Sequence, residues 1–235
     1  MASDDDRADE PQAMVDDDHC AHQRRAMVDE QIAARGIRHP ALLAAMREVP
    51  RHLFVAASLQ REAYDDTPLP IEDGQTISQP YIVALMLEAA RLRGSDRVLE
   101  VGAGSGYASA VASRLAAHVD AIERHPRLAE IARERLARLG FANVAIHRGD
   151  GSLGWPSGAP YDAILVAAGG PRIPAALRDQ LGVGGRLVMP VGDEHFAQRL
   201  VRLERDRDGA FHESDLGGVM FVPLVGAQGF GGGGS

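Results

Sequence analysis

The chain has 235 residues, 45% of them apolar, a net charge of -8 and a single cysteine, Cys20. That length supports one domain with a sizeable core, and the acidic balance argues against a nucleic-acid partner. One cysteine excludes internal disulfides and a thiolate metal cluster, and no apolar run nears membrane-spanning length.

Residues 1–21 read as a disordered acidic leader: Asp4, Asp5, Asp6, Asp9, Glu10, Asp16, Asp17 and Asp18 face a lone Arg7, with little to bury. No secretory signal pattern opens the chain, so a cytoplasmic protein is expected, and a monomer. Residues 22–226 read as a single domain, and 227–235 as a glycine-rich, linker-like tail outside the fold. Order is expected from near His22, with Met27, Ile32 and Ile37 at a loose helical period closed by Gly36. Pro40 opens a second helix over 41–49. Residues 61–80 hold Pro68, Pro70, Gly74 and Pro80, which forbid a long helix or central strand. Tyr64, Leu69, Ile71 and Ile77 give this segment reason to pack, so an ordered loop over the active site is expected. An amphipathic helix over 81–91 follows.

The stretch 97–107, RVLEVGAGSGY, is an apolar run broken by Gly102, Gly104 and Gly106. It predicts a buried strand turning into a helix over 107–117, the signature of a nucleotide-type binding loop. Strands are then predicted at 119–122, 144–147, 162–166 and 185–191, alternating with helices at 126–139 and 174–181. Such alternation means a doubly wound, mostly parallel α/β sheet. Closing strands are predicted at 198–205, 211–215 and 218–222, with turns at Asp208-Gly209 and Gly217-Gly218.

Ligands of such sheets sit at the carboxyl ends of the strands, where the glycine loop, Glu123 and Asp150-Gly151 all fall. Glu123 stands about 20 residues after the loop, where a carboxylate accepts from both ribose hydroxyls. The third glycine comes one place too early for a dinucleotide fingerprint. Glu100 also stands two residues before the first glycine, where it would repel a pyrophosphate but suit a cofactor with a cationic amino-acid end. These features favour S-adenosylmethionine over a nicotinamide dinucleotide.

With GQTISQP (74–80) ahead of VLEVGAGSGY, the chain resembles the protein-L-isoaspartate O-methyltransferase family. MVDEQIAARGI (27–37), VPRHLFV (49–55), GDGSLGWP (149–156) and VMFVPLVG (219–226) extend the resemblance. It implies a class I methyltransferase fold: a Rossmann-like sheet with N-terminal helices and antiparallel C-terminal strands. It also implies methyl transfer from S-adenosylmethionine to the α-carboxylate of L-isoaspartyl residues in damaged proteins and peptides, with no metal. Carried onto this sequence, Thr76, Ile77, Ser78 and Gln79 would line the site between cofactor and acceptor, with Ser78 as the active-site serine. Glu100, Gly102, Ala103, Gly104, Ser105 and Gly106 would hold the methionine end of the cofactor. Glu123 would hold the ribose, with Arg124 beside it on the cofactor, and Asp150 and Gly151 the adenine side. Val222, Pro223 and Leu224 would close over the peptide.

A carboxylate acceptor is already ionised at neutral pH and needs no general base. Proximity should dominate, with Ser78 a positioner and not a nucleophile. Two departures fall on the expected active-site face, Glu72-Asp73 and Ala167-Ala168-Gly169-Gly170. Both leave room for an alternative substrate, an aspartate in a ribosomally made peptide. A non-catalytic cofactor-binding module is the reading from another class.

Overall fold

A computed structural model describes residues 18–194 and 197–231; most of the leader and the last four residues of the tail lie outside the described residues. Helix α1 (Asp18–Ala26) opens four residues ahead of the order expected at His22. It continues through a π-helical turn (Met27–Ile32) and a 3-10 turn (Ala33–Arg35) to Gly36, whose φ of 101° supplies the left-handed cap. In α2 (Pro40–Glu48) the His39 ring caps the first turn by accepting from the Leu42 N–H. Two short strands, β1 (Leu69–Pro70) and β2 (Thr76–Ile77), pair antiparallel, so the proline-rich segment is an ordered hairpin. Pro80 then begins α3 (Pro80–Ala90).

The rest alternates: β3 (Arg97–Val101), α4 (Tyr107–Ser113), β4 (His118–Glu123), α5 (Pro126–Arg138), β5 (Val144–Arg148), β6 (Tyr161–Val166), α6 (Ala175–Gln180), β7 (Leu181–Val191), β8 (Gln198–Arg205) and β9 (Phe211–Val219). Helix α4 stops four residues short of the expected 117. The Asn143 side-chain amide accounts for this, donating to the carbonyls of Ser113, Ala116 and Ala117 at 2.9, 3.3 and 3.4 Å. The strands form one seven-stranded sheet in the order β5-β4-β3-β6-β7-β8-β9. The first five are mutually parallel, and β8 and β9 close the sheet antiparallel. The two strands expected over 211–222 are instead the single β9. The glycines read as a turn absorb a register shift, with Gly217 at φ 110° and its N–H bonded to the Asp215 carboxylate.

Strand alternation sends Val98, Val119, Ala121, Ala163 and Leu165 into the core beneath the N-terminal helices. Leu99, Val101, Ile122, Ile164 and Val166 form a second core on the opposite face with α6. The sheet is pinned to α3 by Arg186 of β7. Its Nε donates to the Ala90 carbonyl at 2.7 Å, and its Nη2 to the Arg91 carbonyl at 2.8 Å and the Asp96 carboxylate at 2.6 Å. Both side chains are buried, so Asp96→Ala strands a guanidinium and should cost about 3 kcal/mol. This is read as a lower urea midpoint at unchanged m-value. Among the described residues no helix is long and apolar enough to cross a membrane. Nor, among them, is any group of three or more His, Cys, Asp or Glu side chains placed to hold a metal ion.

Candidate active site

Strand order reverses at β3: the chain moves outward through β4 and β5, then returns to β6 on the other side. The loops leaving the carboxyl ends of β3 and β6 therefore turn to opposite faces of the sheet and leave a crevice between them. At its floor Gly102 and Ala103 donate their N–H groups to the Ile122 carbonyl, at 2.9 and 3.0 Å. The loop glycines all have positive φ, 88° at Gly102, 53° at Gly104 and 88° at Gly106. At Gly106 a Cβ would lie 3.2 Å from Leu136 Cδ1, so this glycine also lets α4 pack against α5.

Glu123 ends β4 and is 4% exposed. One carboxylate oxygen accepts from the Gly104 N–H and the other from the His125 N–H, each at 2.9 Å. A carboxylate oxygen has about two acceptor sites, so each keeps one for a ligand. Gly102, Gly104, Glu123, Arg124, His125 and Gly151 line one side of a cavity of about 350 Å³. Gly74, Gln75 and Thr76 form its near wall, and Val222, Pro223, Leu224 and Val225 its cover. A second cavity of about 360 Å³ holds Ser78, Gln79, Pro68, Ile82, Glu194, Met220 and Phe221. Thr76, Ala167 and Val222 line both cavities, so the two meet at one shared wall.

The predicted site residues divide accordingly. Gly102, Gly104, Glu123, Arg124, Gly151 and Thr76 line the first cavity. Ser78 and Gln79, expected on the cofactor as well, line only the second. Pro223 and Leu224, expected on the peptide, line the first, and Val222 alone serves both. Ile77 is buried in the core because its neighbour Thr76 takes the outward position in β2. Ala103 and Ser105 are buried under the loop, Ser105 offering its carbonyl to Arg135 at 2.8 Å.

Glu100 does not line the cavity either. It points with Val98 toward α4, where its carboxylate accepts from the Ser109 hydroxyl. Burial pushes its pKa up to about 8, the Ser109 bond offsetting only part of that. Asp150 sits beside the site in a third cavity with Arg124 and Arg148. Burial alone would raise its pKa, but hydrogen bonds from the Ala227 N–H and from the Ser152 hydroxyl and N–H outweigh it and hold it low.

Ala167 and Ala168, expected on the active-site face, do line the cavity directly after β6, whereas Gly74, Gln75 and His125 line it without having been among the expected site residues. Of the two departures, Asp73 takes a left-handed φ of 55° and stands 4.0 Å from the His125 ring nitrogen, away from the second cavity. Gly169 and Gly170 bridge to the backbones of Pro223 and Val191.

The first cavity suits a nucleoside bearing an amino-acid arm. Glu123 keeps two acceptor positions for ribose hydroxyls, the glycine loop leaves room against the backbone, and Val101, Ile122 and Leu224 add apolar wall. Ser78 makes no hydrogen bond to a histidine or carboxylate among the described residues, so a hydrolase triad is not assembled there.

Comparison with known proteins gives the same frame. The family model described as protein-L-isoaspartate(D-aspartate) O-methyltransferase matches residues 22–229. A protein-L-isoaspartate O-methyltransferase of Rhodopseudomonas palustris is 57% identical over 200 residues, covering 85% of this chain and 92% of the relative. One of Methanoculleus marisnigri is 54% identical over 213 residues, covering 91% and 96%. A solved protein-L-isoaspartate O-methyltransferase superposes with a TM-score of 0.79 at 30% identity, over 87% of this chain and 67% of the other. A Plasmodium falciparum structure of the same description, in complex with S-adenosyl-L-homocysteine, gives 0.74 at 26% identity, over 86% and 98%. With the family model covering nearly all of the described residues, the chain belongs to the protein-L-isoaspartate(D-aspartate) O-methyltransferase family.

Proposed function

We infer that this chain methylates the α-carboxylate of L-isoaspartyl residues in damaged proteins and peptides, using S-adenosylmethionine. The observation that carries the chemistry is the shared wall. Thr76, Ala167 and Val222 line both a nucleoside-sized cavity and the one holding Ser78, so the two adjoin and a donor in one can meet an acceptor in the other end to end. When bound, S-adenosylmethionine supplies an activated methyl group whose departure leaves a neutral thioether. The protein then has to align the acceptor and exclude water, and effective molarity provides the rate. Glu123 would hold the ribose hydroxyls, and the backbone around Gly102 and Gly104 the methionine arm. The Ser78 hydroxyl donates to one oxygen of the acceptor carboxylate and turns the other toward the junction of the two cavities. The carboxylate arrives ionised, so no base is required. The next residue's backbone amide nitrogen then attacks the ester carbonyl and methanol leaves, giving a succinimide, the first step back to aspartate. A cytoplasmic monomer fits this role.

Paired peptides differing only in isoaspartyl against aspartyl linkage test the reading with labelled S-adenosylmethionine. Label is expected in the isoaspartyl peptide only, and equal or absent labelling of both would overturn it. In Ser78→Ala one hydrogen bond to a charged group is lost, worth about 1.5–3 kcal/mol. Turnover should fall roughly 10- to 100-fold while cofactor affinity, measured by calorimetry, stays at the wild-type level. Full turnover in this variant would remove Ser78 from its positioning role.

A further inference from the structure

The glycine-rich segment after Val219 is built into the site. It crosses the carboxyl edge of the sheet, where Gly169 donates to the Val222 carbonyl at 2.8 Å and Leu224 donates to the Gly169 carbonyl at 2.6 Å. It then turns back on itself, with Phe230 donating to the Leu224 carbonyl at 2.8 Å and Gly226 to the Phe230 carbonyl at 3.2 Å. The tip of this loop is fastened at three points. Ala227 N–H donates to Asp150 Oδ2 at 2.7 Å. Gln228 N–H donates to the Ser152 hydroxyl oxygen at 2.9 Å. The Gln228 side-chain oxygen accepts from the Ala176 N–H at the start of α6, at 3.0 Å.

Ser152 is fully buried, and its hydroxyl and N–H both donate to Asp150 Oδ1, at 2.7 and 2.9 Å. The fit leaves no space. A Cβ at Gly226 would lie 2.0 Å from Asp150 Oδ1, and one at Gly229 would lie 2.0 Å from the Leu224 carbonyl oxygen. The same strap carries Val222, Pro223, Leu224 and Val225, the cover of the first cavity, and Val222 also lines the second.

We propose that Asp150, Ser152 and Gln228 are positioning residues that form a catch, holding the strap 222–230 shut over the cofactor cavity and setting how fast the spent cofactor leaves. Asp150, expected on the adenine side, spends Oδ1 on Ser152 and one acceptor site of Oδ2 on Ala227, so its carboxylate acts mainly through the strap. The proposal rests on the methyltransferase reading for what the cavity holds, but the catch itself is tested without turnover.

Gln228→Ala removes one acceptor and leaves Ser152 and Asp150 in place, whereas Gln228→Glu keeps an acceptor oxygen for the Ala176 N–H. One hydrogen bond of this kind is worth about 0.5–1.5 kcal/mol. Gln228→Ala should therefore speed amide hydrogen exchange across 222–230 by about 3- to 10-fold, with β3 and β6 unchanged. It should raise the S-adenosylhomocysteine dissociation rate and the cofactor KM by a similar factor, and Gln228→Glu should restore both. Ser152→Ala should loosen the strap further. Unchanged exchange across 222–230 in Gln228→Ala overturns the catch. Faster exchange with an unchanged dissociation rate overturns its control of cofactor release. Failure of the wild type to bind S-adenosylhomocysteine would count against the cofactor reading instead, and the exchange result would still decide the catch.

Discussion

Glu123→Ala should weaken S-adenosylmethionine binding by about 100- to 1,000-fold. In the ribose role proposed for Glu123, the acceptor position left on each carboxylate oxygen would take one ribose hydroxyl, and hydrogen bonds to a charged group are worth about 1.5–3 kcal/mol each. The variant also loses the bond from Gly104, so the glycine loop is no longer preorganised for the methionine arm. Glu123→Gln separates the two contributions. It keeps one acceptor oxygen of similar shape but loses the charge, and a loss of roughly 10-fold is expected. Calorimetric titration with S-adenosylhomocysteine gives both affinities, and thermal unfolding checks that each variant is folded. An affinity within 3-fold of wild type in Glu123→Ala would remove the ribose role.

The alternating core and the glycine loop were legible because each has a strong local signal. Short β-branched runs ended by glycine or an acid mark strands buried on both faces, and Pro126 and Gly140 bracket a helix of clear apolar period. Glu123 was legible for the same reason, since a strand end is a place as well as a residue. Side-chain direction was harder. Glu100 lies between Leu99 and Val101, and in a strand buried on both faces all three look alike until the helices show which side each one meets. The doublet Thr76-Ile77 likewise splits, with Ile77 turned into the core.

Glycine caused the two largest misreadings. At Gly217-Gly218 it suggested a turn where the chain makes a bulge, because only the partner strand β8 reveals that the ladder continues. At Gly229 it suggested a linker, because its close approach to Leu224 is a looped-back contact that composition does not carry. The family match running to residue 229 agrees with the folded strap.

Glu100→Gln should stabilise the protein, and most strongly at alkaline pH. Glu100 is fully buried; among the described residues its hydrogen-bond partner is the Ser109 hydroxyl, and Glu123 adds like charge nearby. Its pKa rises from 4.5 to about 8 on folding. The folded state therefore holds a proton that the unfolded chain has released throughout the interval between those values. Stability from this group is complete below pH 4.5, falls as pH rises through the interval, and levels off above about 8. At 1.36 kcal/mol per pH unit the loss is on the order of 4–5 kcal/mol. Glutamine keeps a neutral amide in the same space, with an oxygen to accept from Ser109, and has no proton to lose. Urea unfolding at pH 6 and pH 9 should show the wild type losing about 3 kcal/mol more than the variant between the two, the share of the loss that falls between pH 6 and about 8. Parallel losses in both proteins would mean that Glu100 is ionised throughout, held by groups other than Ser109. The site also explains why an acid can stand so close to the glycine loop: protonated, it donates or accepts without opposing the carboxylate of Glu123 on the neighbouring strand.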